Sequence, residues 1–513
     1  MMKTGASMRL APLLACSALL ACGSSSDAPA GGGASSNATC ENRTRVSDGG
    51  TPAPATCQVP VGASALGADQ VQAMGHVAVG QTIPFQVPAG TESVTIVQQA
   101  VKAPEFVSFQ PSCTDSAIDL DNTAVPLTVK DPTGKVWYDD NPPSVPADVS
   151  TLLVFFASDS PGTGTLGFPN TSTGLAALGT TGLPAGTWQV QVSDYAYECA
   201  NGFIPAGSNC SLGATDSIYD VTVITKSSAQ AAIAAPTLNL DVYLVTTTSA
   251  SASRPLPSAS TAATDPDLAR LVSTLRALLS GSATGIQLGA VTFHDVPQSV
   301  KDQYATGVDV DQTGSCAPLP QLFANATAGN TLNVFLVSGF KSATTTGSNQ
   351  IVGVDGTIPG PASVGGSVAS GVAVSTANLR FESVAGSSCS SSLPDFQSCG
   401  DDTTAYIIAH EGGHFMGLYH VVEATGTAND FDPLSDTPTC LCSKCAPAPS
   451  RARCADAPTP PASPYQLKVS DCLAPSIGCG SGDNLMFWLF GTGSRGTISP
   501  EQAHVMRTSP LLH

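Results

Sequence analysis

Eleven residues near the C-terminal end constrain this chain more than any others: His410-Glu411-Gly412-Gly413-His414-Phe415-Met416-Gly417-Leu418-Tyr419-His420. His410 and His414 are one helical turn apart, so on an α-helix they project from one face and can grip a single ion. Glu411 follows the first histidine directly, which sets its carboxylate beside the metal, where it can take a proton from water. Gly417 can leave the helix through a left-handed conformation closed to most residues. The chain then turns back to deliver His420 as a third ligand. Three histidines holding zinc leave its fourth position open, the mark of a catalytic rather than a structural site. The chain has only 7 histidines, and three of them fall in this window. The competing reading, a core helix with incidental histidines, requires that clustering to be accidental.

Four segments, the motif with its flanks and three that follow it, are informative together: "AYIIAHEGGHFMGLYH" at 405–420, "SDTP" at 435–438, "DNLMFW" at 483–488 and "TISPEQAHVMRTSPLL" at 497–512. Together they resemble the metzincin clan of zinc metallopeptidases, and within it the pappalysin (cytophagalysin-like) family. The specific resemblance covers about a hundred residues. It implies a zinc endopeptidase acting on proteins or peptides, with Glu411 as general base. Met486 then occupies the methionine-bearing turn beneath the zinc. The last segment becomes a closing helix, with Ser499 as cap, Pro500 at its first position and Gln502 completing a capping box. One departure stands out. Where many relatives carry a tyrosine two residues after the methionine, this chain has Trp488. No tyrosine role carries over, and oxyanion stabilisation falls to zinc alone or to a group elsewhere.

The resemblance also bears on the acidic loop "NDFDPLSD". Asp430, Asp432 and Asp436 are candidate calcium ligands, because calcium wants several oxygens and occurs in pappalysin relatives. A solvated acidic loop is the competing reading.

The N-terminus speaks to location. Lys3 and Arg9 precede an apolar run from Leu10 to Leu20 that is too short for a mature membrane span. It ends in Leu19-Leu20-Ala21-Cys22, which resembles a bacterial lipoprotein signal over residues 1–22. Cleavage would leave Cys22 as a lipidated N-terminus and membrane anchor. An ordinary secretory signal is the alternative. Either way the chain is exported, to the outer membrane or cell surface or onward to the medium.

The 16 cysteines agree with an oxidising compartment. Cys40 with Cys57, Cys199 with Cys210, and Cys389 with Cys399 are plausible local bridges. The cluster Cys440, Cys442, Cys445, Cys454, Cys472 and Cys479 reads as disulfides stapling a loop-rich insert at 440–479. Its spacing lacks the paired C-x-x-C of a zinc ribbon. A net charge of −19 argues against nucleic acid as a partner.

Residues 23–59 are Gly, Ser, Ala and Pro, a flexible tether reaching about 30 Å. From 60 to 228 the pattern alternates with period two, as in "SVTIVQQAV", "TWQVQVSD" and "IYDVTVITK", with turns such as Asp131-Pro132-Thr133-Gly134 between. That predicts an all-β sandwich, and "GLPAGTWQVQVSD" resembles the jelly-roll accessory domains of secreted bacterial peptidases. From 236 to 513 strands alternate with helices, giving an α/β (α+β) catalytic domain. Thr264 is expected to cap a helix whose Leu268, Leu271, Val272, Leu275 and Leu278 share a face. The segment "ASGVAVSTANL" is expected as the strand nearest the cleft, where free backbone groups would take an extended peptide. The rival from another class is a lipid-anchored binding or adhesion protein with a silent protease fold.

Overall fold

The computed structural model describes most of residues 69–102, 123–140, 160–194, 218–246 and 256–513, with a few short stretches besides. Cys22, the 23–59 tether, Asp430 and the Cys40/Cys57 and Cys199/Cys210 pairs lie outside the described residues. Among the described residues no helix is long and apolar enough to cross a membrane.

The alternating segments form two antiparallel sheets. The first orders β6 (Thr163–Phe168), β3 (Thr91–Lys102), β8 (Ile218–Ser227) and β1 (Asp69–Ala78); the second orders β2 (Thr82–Val87), β7 (Gly186–Asp194), β4 (Thr123–Lys130) and β5 (Val136–Asp139). Period-two patterning sends alternate side chains inward, so Ile83, Phe85 and Val87 of β2 are buried while Thr82 and Gln86 face out. Opposite them on β7 stand Val190 and Trp188. Trp188 stacks on Phe168 from the other sheet, with ring centroids 5.6 Å apart, which closes the core between the sheets. The Asp131–Gly134 turn forms as its sequence predicts. Asp131 Oδ1 accepts the N–H groups of Thr133 and Lys135, and Gly134 takes a φ of 86°.

The remaining half is built on a mixed sheet of β10 (Gln287–Asp295), β9 (Thr237–Leu244), β11 (Thr331–Val337), β13 (Val372–Ser375) and β12 (Gly353–Asp355), in that order. Its strands pair in parallel except β12, which runs antiparallel to β13 at the edge. Both faces are covered, as parallel strands require. Leu240, Val242 and Leu244 of β9 enter the cluster that holds the helices, while Tyr243 enters a second cluster with Phe335 and Ala373.

After the short α1 (Ala259–Ala262), helix α2 (Pro266–Leu279) lies beside α3 (Gly400–Phe415), the helix of the histidine motif. The cap of α2 is Asp265 rather than Thr264. Its carboxylate accepts the N–H groups of Asp267 and Leu268, placing Pro266 at the first helical position, where no N–H is needed. Leu268, Leu271, Leu275 and Leu279 are buried, and Val272 and Leu278 pack half-buried at the margin. Each such leucine contributes about 1.5–3 kcal/mol on burial. Arg270 clamps the pair of helices with two hydrogen bonds to Asp402, of 2.9 and 2.7 Å. Thr274 also donates to Asp402, at 2.5 Å.

Below the motif helix the chain is irregular and held by disulfides, Cys440–Cys472, Cys442–Cys454 and Cys445–Cys479, with Cys389–Cys399 just ahead of it. The architecture is therefore α+β, several sheets with few helices. The two halves are packed together. Lys226 of β8, 1% exposed, donates from Nζ to the carbonyls of Ser509 and Leu512 at 2.7 and 2.6 Å. Ser93 donates to Thr508 O at 2.8 Å, and Thr165 to Pro359 O at 2.5 Å.

Candidate metal centre and active site

Helix α3 ends at Phe415, and the chain leaves it through Gly417 at φ 103°. That turn brings His420 back over the helix. His410 and His420 meet with their Nε2 atoms 3.2 Å apart, and His414 and His420 with theirs 3.1 Å apart. All three rings are buried.

The opposite nitrogen of each ring is committed. His410 Nδ1 bonds the carbonyl of Leu485 at 2.6 Å, His414 Nδ1 the carbonyl of Leu418 at 2.7 Å, and His420 Nδ1 the Glu423 carboxylate at 2.7 Å. A carbonyl or carboxylate takes only a proton, so each Nδ1 carries the hydrogen. Each Nε2 then presents a bare lone pair to the other two. Burial pushes His410 down to about 3, with His420 adding to the effect, and burial followed by its histidine neighbours holds His414 well below its ordinary value. Both rings are neutral, as ligands must be. Three lone pairs at this separation repel unless a cation lies among them. The edge of a tetrahedron with zinc–nitrogen bonds of about 2.0–2.1 Å is about 3.3 Å, so the donor set fits such an ion. The group His410, His414 and His420 can thus hold a metal. The cysteine groups that converge elsewhere have their sulfurs taken up in disulfides.

Met486 is fully buried under the centre, and a Cβ on Gly413 would lie 2.6 Å from its Sδ. Asn484 shapes this turn. Its Oδ1 accepts the Met486 N–H at 2.8 Å, and its Nδ2 reaches Gln502 Oε1 at 2.8 Å. Gln502 belongs to the capping box with Ser499 that starts α4 (Pro500–Arg507), with Pro500 at its first position. The closing helix therefore holds the turn whose Leu485 carbonyl orients His410.

Glu411 is 1% exposed, and its Oε2 has no partner. Burial, and then the charge of Asp355, raise its carboxyl well above the usual range. Asp355 sits on the edge strand β12, also buried, with Oδ2 unpartnered and its own carboxyl raised to about 7 by burial. Glu411, His410, Trp488, Phe487, Phe490, Tyr406, Ile407 and Val352 line a narrow cavity.

The strand nearest the motif helix at the edge is β12, not "ASGVAVSTANL", whose core forms the next strand in, β13. Three residues from the glycine-rich stretch 353–360 give no period-two pattern, so nothing in the sequence marks them as a strand. Gly353 and Asp355 were missed for that reason. Glu423 could have been found as a carboxylate three residues past the third histidine, and Asn484 as the polar residue two before the turn methionine.

Among the proposed calcium ligands, Asp436 is committed to the start of α4, accepting Ser499 Oγ at 2.7 Å and the Glu501 N–H at 2.8 Å. Asp432 is buried, takes the Thr437 hydroxyl at 2.5 Å and keeps one unpartnered oxygen. Among the described residues they form no cluster with a third ligand.

Comparison of the chain with protein-family models, curated proteins and solved structures finds no match.

Proposed function

We propose that this chain is a zinc-dependent endopeptidase of metzincin type, most similar to the pappalysins, exported and anchored by a lipid on Cys22. One observation carries the reading. Three buried imidazoles turn bare Nε2 atoms toward one point, each oriented by a fixed acceptor, beside a carboxylate oxygen with nothing to bond.

Three imidazole nitrogens without a thiolate suit zinc. The ion supplies Lewis acidity when bound, lowering the pKa of a coordinated water to about 7 and polarising a carbonyl. Glu411 does the proton work: its free Oε2 accepts the proton of the attacking water and returns it to the leaving amine. Leu485, Leu418 and Glu423 fix the three rings, so no reorganisation is needed as charge develops. Strand β12 is an edge strand beside Glu411, and its outer backbone groups suit an extended peptide added as a further strand. The β-sandwich docks on the C-terminal segment through Lys226 and Ser93.

Digestion of an unfolded protein, with and without a chelator and with zinc returned, tests the reading. Cleavage that stops with the chelator and resumes with zinc is expected. A chain that keeps zinc yet cleaves nothing would be the silent, lipid-anchored binding protein instead.

A further inference from the structure

Two buried polar atoms of residues that line the cavity lack any partner: Glu411 Oε2 and Trp488 Nε1. The first is an acceptor. The second is a donor and nothing else, since indole offers one N–H and no lone pair for bonding. Trp488 is 2% exposed and lines the same cavity as His410 and Glu411.

The chain has 3 tryptophans, and the others are satisfied. Trp137 donates to Asp131 Oδ2 at 3.1 Å, and Trp188 to the Pro184 carbonyl at 2.7 Å. Both are spacers in the core of the sandwich, and both nonetheless find an acceptor. Leaving such a donor buried and unused costs about 1–3 kcal/mol. Of the three, only the one beside the candidate base bears that cost, and an orphaned group in such a place marks a missing ligand.

We infer that the indole N–H of Trp488 is the donor for the scissile carbonyl oxygen of a bound peptide. The inference rests on the hydrolase reading above. In the reacting state the water oxygen bonds to the carbonyl carbon, the π pair of the C=O moves onto oxygen, and the water proton passes to Glu411. When the tetrahedral species collapses, the C–N bond breaks and the amine leaves with that proton, so peptide and water become acid and amine. The oxygen is neutral at the start and negative in the middle. A fixed N–H donor in a buried cavity therefore bonds it most strongly when its charge is greatest. Trp488 thereby acts on the turnover step more than on the binding of intact peptide.

The test uses the full zinc-loaded chain and a quenched fluorescent peptide copied from a site cleaved in denatured casein. Trp488→Phe keeps an aromatic ring and removes the donor; Trp488→Tyr returns an O–H. The Phe variant should lose about 10²–10³ in kcat, with KM within threefold and zinc content unchanged. The Tyr variant should recover at least tenfold of that loss. A readout independent of turnover comes from the parent labelled with ¹⁵N-tryptophan. Adding a phosphinic peptide, whose tetrahedral phosphorus carries anionic oxygens, should move the Trp488 indole N–H downfield and leave those of Trp137 and Trp188 in place. A Phe variant within threefold of the parent kcat, equal losses in Phe and Tyr, or an unmoved Trp488 resonance with the phosphinic peptide bound would each overturn the assignment while leaving the peptidase reading intact. A zinc-loaded parent that cleaves no peptide sinks both.

Discussion

Gly353 of the edge strand leaves room for the Glu411 carboxylate and for nothing more: a Cβ built there collides with Oε1 and lies 2.7 Å from Cδ. The strand that would receive substrate and the base that would act on it are thus in direct contact.

Gly353→Ala should displace the carboxylate without touching a metal ligand. We expect proteolysis to fall by about 10²-fold, the scale of an ångström's misplacement of a reacting group. Zinc content by mass spectrometry or atomic absorption should stay at that of the parent. Full activity in this variant would show that the Glu411 carboxylate has freedom the packing denies it.

The charge of Asp355 raises the Glu411 carboxyl, adding to the larger effect of burial. A base acts only when ionised, so the acid limb of the pH–rate profile should lie above the ordinary carboxylate range. Asp355→Asn removes a neighbouring negative charge and makes the ionised Glu411 less unfavourable. The limb should therefore move to lower pH, measured as kcat/KM across the range. A limb that stays put or moves upward would mean that Asp355 does not act on Glu411.

Burial of Lys226 ties the sandwich to the last residues of the chain. Lys226→Met keeps most of the stem and strands the carbonyls of Ser509 and Leu512. Hydrogen bonds to a charged group are worth about 1.5–3 kcal/mol, so a loss on that scale should appear as a lowered Tm in thermal unfolding. An unchanged Tm would mean that the two halves unfold without feeling this contact.

Much of the fold was legible because its signals are local. Period-two runs gave the sandwich strands, the leucine face gave α2, and the spacing of Ser499, Pro500 and Gln502 gave the start of α4. The cysteine cluster declared its disulfides through spacing unsuited to a metal ribbon. The histidine trio was readable for the same reason, since one helical turn and one glycine fix it. What escaped is long-range. Nothing in "GVDG" says that Gly353 will pack on a helix some sixty residues downstream, or that Asp355 will be buried beside it. Thr264 and Asp265 both suit a cap, and only the placement of Pro266 at the first helical position decides between them. Trp488 read as the loss of a phenol, whereas burial without a partner exposes what its ring still offers.

Proton transfer by Glu411 at a metal held by His410, His414 and His420 can be separated from metal binding by one substitution. Glu411→Gln keeps size and shape and removes the base. We expect zinc at the parental stoichiometry, with cleavage of unfolded protein lower by about 10²–10⁴-fold, the range for positioned proton transfer. A Gln variant that digests protein at close to the parental rate would contradict it.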